Sequence, residues 1–127
     1  MTVHVGIDLG TQTLVGAPAP TADAAASEKP QWAGVPCVFG HAPDGTQRIG
    51  DRARRLALLR PERFVATAVR MLGRRFDELP EAQTAGQWTR GPNGDLRVML
   101  DGEPRTLEWV VAELLRGLSE QLCGPAS

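Results

Sequence analysis

Tyrosine is absent from the 127 residues, and three Phe and three Trp supply every aromatic ring. Base-stacking platforms for single-stranded nucleic acid have little to be built from. Cysteine is scarce: Cys37 and Cys123 have neither metal-ligand spacing nor a framework pattern. Such usage reads as free thiols in a cytoplasmic protein. No apolar run approaches the length of a membrane span, and no charged n-region leads an apolar segment, so neither a span nor a signal peptide is expected. The formal net charge is −1, which argues neither for nor against an anionic partner. HExxH, GxSxG and CxxC are all missing, and there is no Walker-type lysine. His4 and His41 stand alone in the sequence and are expected to be structural or exposed rather than ligands.

What is present fits one globular domain with a core of its own. Apolar residues make up 42% of the chain and charged ones 23%, in the ordinary range. Fourteen Gly and ten Pro imply many turns. Charge is unevenly placed: residues 47–75 carry nine Arg against two acids, between two acidic flanks. A basic middle can pair with those flanks or attract phosphate. Arg52, Arg54, Arg55, Arg60, Arg63, Arg70, Arg74 and Arg75 read mostly as solvated helix positions beside an apolar face. Phe64 is the only aromatic among them, so no nucleic-acid partner is expected.

Hydrophobic periodicity predicts the element order. Val3, Val5, Ile7 and Leu9 alternate with His4, Gly6 and Asp8, a strand with Asp8 on the face opposite the valines. A turn at 10–13 leads to an antiparallel strand from Thr13. Residues 17–31, Ala- and Pro-rich without period, read as a mobile loop. Trp32–Phe39 forms a short strand that Pro36 confines to an edge or a strand start, and Asp44-Gly45 is a hairpin turn. A helix over 51–60 has Asp51 as cap and Ala53, Leu56, Ala57 and Leu59 as its apolar face. Arg60-Pro61 ends it. Phe64, Ala68 and Leu72, with Val65 and Val69 beside them, predict a second helix stopped by Gly73. Asn93-Gly94 and Asp101-Gly102 are turns in a strand pair. Thr106 caps a last helix with Glu108 in its first turn, a stripe of Leu107, Val111, Leu114, Leu118 and Leu122, and a stop at Gly124-Pro125.

The stretch GIDLGTQT, residues 6–13, carries the one site with chemistry of its own. A strand that ends in Asp and turns through Gly exposes successive backbone N–H groups, which favour an anion. Gly10 permits close approach of the backbone to a phosphate, and a hydroxyl at Thr11 or Thr13 adds a donor. Asp8 is suited to a hydrated Mg²⁺, an ion that keeps several of its waters. The same string also describes an ordinary β-turn with an Asp at the strand end.

Several strings in order resemble one family. GIDLGTQT at 6–13, VPCVF at 35–39, DGTQRIGDRARRLALLRPERF at 44–64, RMLGRRFDE at 70–78 and GPNGDLRVMLDGEPRTLEWVVAELL at 91–115 look like the start of the DnaK-type heat-shock protein 70 chaperones. That family opens with GIDLGTT and continues with a Thr-Pro-Ser strand. A Val-Gly-x-x-Ala helix ending in Asn-Pro follows, then LIGRRFDD, then a strand pair before a Pro-Glu-Glu-type helix. The match covers nearly the whole chain apart from 17–31.

The resemblance implies a mixed α/β fold, the N-terminal portion of an actin-like ATPase, with antiparallel or mixed strands followed by helices and a hairpin. Residues 1–36 would be the phosphate-loop hairpin of the base lobe and 37–127 the smaller upper subdomain. It implies ATP or ADP with Mg, a first phosphate loop at Gly10, Thr11, Gln12 and Thr13, and Asp8 as the aspartate linked to magnesium through water. The family's catalytic lysine falls on Val69, and its Thr-Pro-Ser reads Val35-Pro36-Cys37. Its second phosphate loop, adenosine site and peptide-binding domain lie past Ser127. An isolated chain without useful hydrolysis is therefore expected. Its partners would be the remainder of the ATPase domain, a co-chaperone or a second copy, and not nucleic acid or membrane. The alternative is a non-catalytic interaction module on the same scaffold.

Overall fold

A computed structural model describes residues 4–18, 32–80 and 87–123. Among the described residues nine strands form three antiparallel three-stranded sheets. In the first, β1 (Val5–Leu9) pairs with β2 (Thr13–Pro18), and β2 with β3 (Ala33–Pro36). The predicted hairpin is thus present, and β2 takes in Ala17 and Pro18, which the sequence placed in a loop. The rest of that loop, the strand start at Val3 and the Gly124-Pro125 stop lie outside the described residues.

The apolar run at 32–39 serves two sheets rather than one. β3 ends at Pro36, on the edge of the first sheet, where a missing N–H costs no ladder bond. Cys37 and Val38 cross over, and β4 (Phe39–His41) sits at the centre of the second sheet, between β5 (Gln47–Ile49) and β6 (Phe64–Val65). The β4–β5 connection turns at Asp44-Gly45, with the Thr46 N–H donating to Asp44 Oδ1 at 2.9 Å.

Two helical expectations are corrected. Phe64 and Val65 are strand, in register with Gly40 and Phe39. Only Ala68–Met71 is helical, one turn named α2 below, while the helix before it, α1, covers Gly50–Ala57. The spacing of four was real, but an aromatic and a β-branched residue beside an open strand gain more from pairing than from a helix. Asp51 does not cap α1. Extended Ile49 holds the N-cap position, and Asp51 in the first turn pairs with Arg54 at 2.7 Å. Ala53 is buried as expected, but Leu59 is 79% exposed, beyond the helix end.

The third sheet is β7 (Trp88–Arg90), β8 (Leu96–Leu100) and β9 (Glu103–Thr106). Its turns fall where Asn-Gly and Asp-Gly predicted. Asp101 and Gly102 adopt φ of 53° and 79°, the left-handed pair that a two-residue hairpin loop requires. On β8, Leu96, Val98 and Leu100 are buried while Arg97 and Met99 are partly open, the alternation of a one-sided strand.

The last helix, α3 (Leu107–Cys123), joins these sheets. Thr106 Oγ1 accepts the Trp109 N–H at 3.2 Å, the predicted cap. Leu107, Val110, Val111, Leu114 and Leu118 are buried along one face. They share one cluster with Leu14 of β2, Val35 of β3, Phe39 of β4, Val65 of β6 and the three β8 residues. The core thus crosses the expected boundary at 36/37. Gly16 of β2 lets α3 come close: a Cβ there would stand 2.9 Å from Leu122 Cδ1. Trp109 meets Phe39 edge to face at 5.4 Å, and the Arg105 guanidinium lies 4.5 Å over its ring. The one buried charge among the described residues, Glu113, is satisfied by Gln47 Nε2 at 2.9 Å and Arg116 Nη2 at 2.9 Å.

Two sets of variants test this packing by urea denaturation. Leu114→Ala is expected to cost about 2–5 kcal/mol, and Leu59→Ala to stay within about 0.5 kcal/mol. Equal costs would contradict the assignment of the helix faces. Gly40→Ala puts a Cβ into the Arg63 carbonyl and the Phe64 Cα. It should cost about 1–3 kcal/mol by forcing β4 and β6 apart, and a wild-type midpoint would refute that close approach.

Candidate phosphate-binding turn

The β1–β2 ladder closes at the pair Leu9 and Leu14, so Gly10–Thr13 forms the connection at the end of the hairpin. Gly10 is partly buried, while Thr11, Gln12 and Thr13 are exposed. A Cβ on Gly10 would come within 2.5 Å of the Thr13 carbonyl oxygen, so the turn is tight enough to require glycine there.

Cys37 lies beneath the turn and fixes its orientation. Its backbone N–H donates to the Gln12 carbonyl at 2.8 Å, and its Sγ–H to the Gly10 carbonyl at 3.4 Å. Both carbonyls are thereby held inward. Among the described residues, the amides of Gly10, Thr11 and Gln12 donate to no backbone acceptor. Such a turn presents donors outward, as an anion site needs. Burial pushes the Cys37 thiol above its ordinary value, against a hydrogen bond from the Leu14 backbone. Cys37 therefore stays protonated at neutral pH and keeps its donor. Sequence spacing gives Cys37 only as a free thiol and does not show this contact. The signal available was only that Val35-Pro36-Cys37 occupies the place of a hydroxyl-bearing Thr-Pro-Ser.

Asp8 is exposed on β1, in register with Val15, two residues before the turn begins. Strand alternation sets it on the face opposite Val5, Ile7 and Leu9. Among the described residues no three potential ligands gather around a common point. A Mg²⁺ here would take one carboxylate from this chain and fill its sphere with water and phosphate oxygens, a mode that ion accepts.

Val69 is half-buried and packs on the main cluster. The neighbouring Arg70 is exposed, so it does not occupy the place of Val69 against the core. The arginine-rich segment is partly paired internally: Arg54 with Asp51, Arg63 with Asp101 at 3.6 Å, and Arg75 with the Asn93 carbonyl. Fewer of those arginines lie on helices than expected, since α2 is a single turn. His4 is exposed, and His41 sits edge-on to Phe39 at 5.8 Å. The Cys123 side chain lies outside the described residues.

No family model matches the chain. Curated relatives do. A chaperone protein named dnaK3 from Synechococcus elongatus is 34% identical over 92% of this chain and 16% of its own length. Chaperone protein DnaK of Deinococcus proteolyticus is 33% identical over 93% of the chain and 19% of its own length. Chaperone protein DnaK of Thermus thermophilus is 34% identical over 94% and 20% respectively. The chain thus spans about a fifth or less of these relatives. Its antiparallel sheets, helices and closing hairpin agree with a partial actin-like ATPase fold. By sequence the chain is a homologue of the DnaK chaperones, matched over nearly all of its own length.

Proposed function

We propose that this chain is the N-terminal segment of a heat-shock protein 70-like chaperone ATPase and contributes its first phosphate loop. The observation that carries the reading is the turn itself. Cys37 holds the carbonyls of Gly10 and Gln12 inward, and outward amides are left beside the hydroxyls of Thr11 and Thr13. These donors would hold the phosphates of ATP or ADP, and Asp8 would hold Mg²⁺ through its waters. When bound, the metal neutralises charge on the phosphate oxygens. In this reading residues 1–36 belong to the base lobe and residues 37–127 to the smaller upper subdomain, with α3 packed across both.

Hydrolysis is another matter. A cation aimed at the transferring phosphoryl group is one of the large electrostatic contributions to such reactions, and Val69 supplies none. The rest of the ATPase domain is the natural partner, with a co-chaperone or a second copy as further candidates. The side chain at 69 also favours a second reading, a non-catalytic interaction module that keeps the scaffold without its chemistry.

The test is reconstitution in trans. The chain is mixed with a DnaK ATPase domain lacking the matching segment, and Mg·ATP is titrated in by calorimetry. Binding should appear only in the mixture and disappear with Asp8→Ala. Turnover should stay at background until Val69→Lys is introduced. ATP turnover by the chain alone, lost on Asp8→Ala, would contradict the reading; a partner-bound chain indifferent to ATP would favour the interaction module.

A further inference from the structure

A second concave site shares no residue with the phosphate turn. It is a cleft of about 470 Å³ between α2, the short 3-10 turn at Phe76–Glu78 and the start of β7, within the size range of small-molecule sites. Thr67, Arg70, Arg74, Glu78, Leu79 and Trp88 are among the residues that line it.

Two arginines line the same cleft. Gly73 stands between them in sequence, after the end of α2, with a φ of 79°. Arg75 is drawn off the other way, onto the Asn93 carbonyl. Glu78 is tethered, its Oε1 accepting the Arg75 backbone N–H at 3.3 Å. Trp88 packs against the main core, so its ring is a fixed wall rather than a loose side chain. Among the described residues no carboxylate lies within 4.0 Å of Arg70 or Arg74, whereas Arg54, Arg63, Arg90, Arg97, Arg105 and Arg116 each have one.

The chemistry follows from these groups. Guanidinium stays charged at any working pH, and its planar fork matches carboxylate and phosphate oxygens. An indole beside it offers a flat apolar surface for a ring. The Glu78 carboxylate leaves the cleft with one net positive charge, which suits a single anionic group and opposes a polyphosphate. We infer that this cleft binds a small aromatic anion, with its ring against Trp88 and Leu79 and its carboxylate or phosphate across Arg70 and Arg74.

Nitrogen-labelled full-length chain titrated by NMR tests this without reference to ATP. Phenyl phosphate and phenylacetate represent the two head groups; benzyl alcohol lacks the charge and inorganic phosphate lacks the ring. At least one aromatic anion should shift the Trp88 indole N–H and the Arg70 and Arg74 Nε–H signals saturably, and the tighter of the two identifies the head group. The half-ligands should bind about tenfold more weakly or worse. Arg70→Gln with Arg74→Gln, both exposed and so harmless to packing, should weaken binding about tenfold. Arg52→Gln with Arg55→Gln, the same charge change on α1, should leave it unchanged. Shifts that fail to saturate with either aromatic anion would overturn the inference. So would equal affinity in the Arg70/Arg74 variant, or equal weakening in the α1 control.

Discussion

The apolar stripe of α3 is the constraint on which the rest of the structure depends. Among the described residues each sheet has three strands, and a sheet buries its apolar face only against another element. α3 supplies the common partner: Leu114 and Leu118 lie in the same cluster as Leu14 of the first sheet, Phe39 and Val65 of the second, and Val98 of the third. A fully buried side chain of this kind contributes about 1.5–3 kcal/mol, so a stripe of five outweighs any surface ion pair here. Glycines on both sides of this packing belong to the same device. Gly16 lets β2 approach Leu118 and Leu122, and Gly117 leaves room for Ile49.

That packing reaches the candidate site through one short path. Leu14 is buried under α3 and is the first residue after the turn; Val35 is buried beside it and leads through Pro36 to Cys37. The two contacts by which Cys37 orients Gly10 and Gln12 are therefore mounted on the core and not on a loose surface loop. β1 is less well held. Its Ile7 and Leu9 are each 46% exposed on an edge strand. Asp8 thus stands on the more open strand of the hairpin, on the face opposite those two side chains.

Much of this was legible in the sequence, for physical reasons that can be named. The β1–β2 hairpin, the Asn93-Gly94 and Asp101-Gly102 turns and the capped α3 each rest on a strong local signal, and each is present. The errors came where tertiary pairing overrode local pattern. Phe64 and Val65 had helical spacing but had β4 to pair with. The run at 32–39 looked like one strand because nothing local marks the step at Cys37 from one sheet to the next. Gly10–Thr13 was visible as a turn, and family order pointed to phosphate. The inward carbonyls that make a phosphate site physically sensible depend on a residue 27 positions away, beyond what local spacing encodes. The cleft at Arg70 and Arg74 was equally hidden, because the sequence showed only a basic helix face, whereas α2 ends at Met71 and both arginines line one cleft with Trp88.

Native-state amide hydrogen exchange tests most directly the claim that α3 mounts the turn-bearing hairpin and the third sheet on one core. The amides of Leu14 in β2, Val35 in β3, Val98 in β8 and Val110–Leu118 in α3 should open with one common free energy, equal to that of global unfolding. Loss of protection in β2 and β3 while β8 and α3 remain protected would contradict it, since the hairpin that carries Gly10–Thr13 would then be held apart from the core that is said to position it.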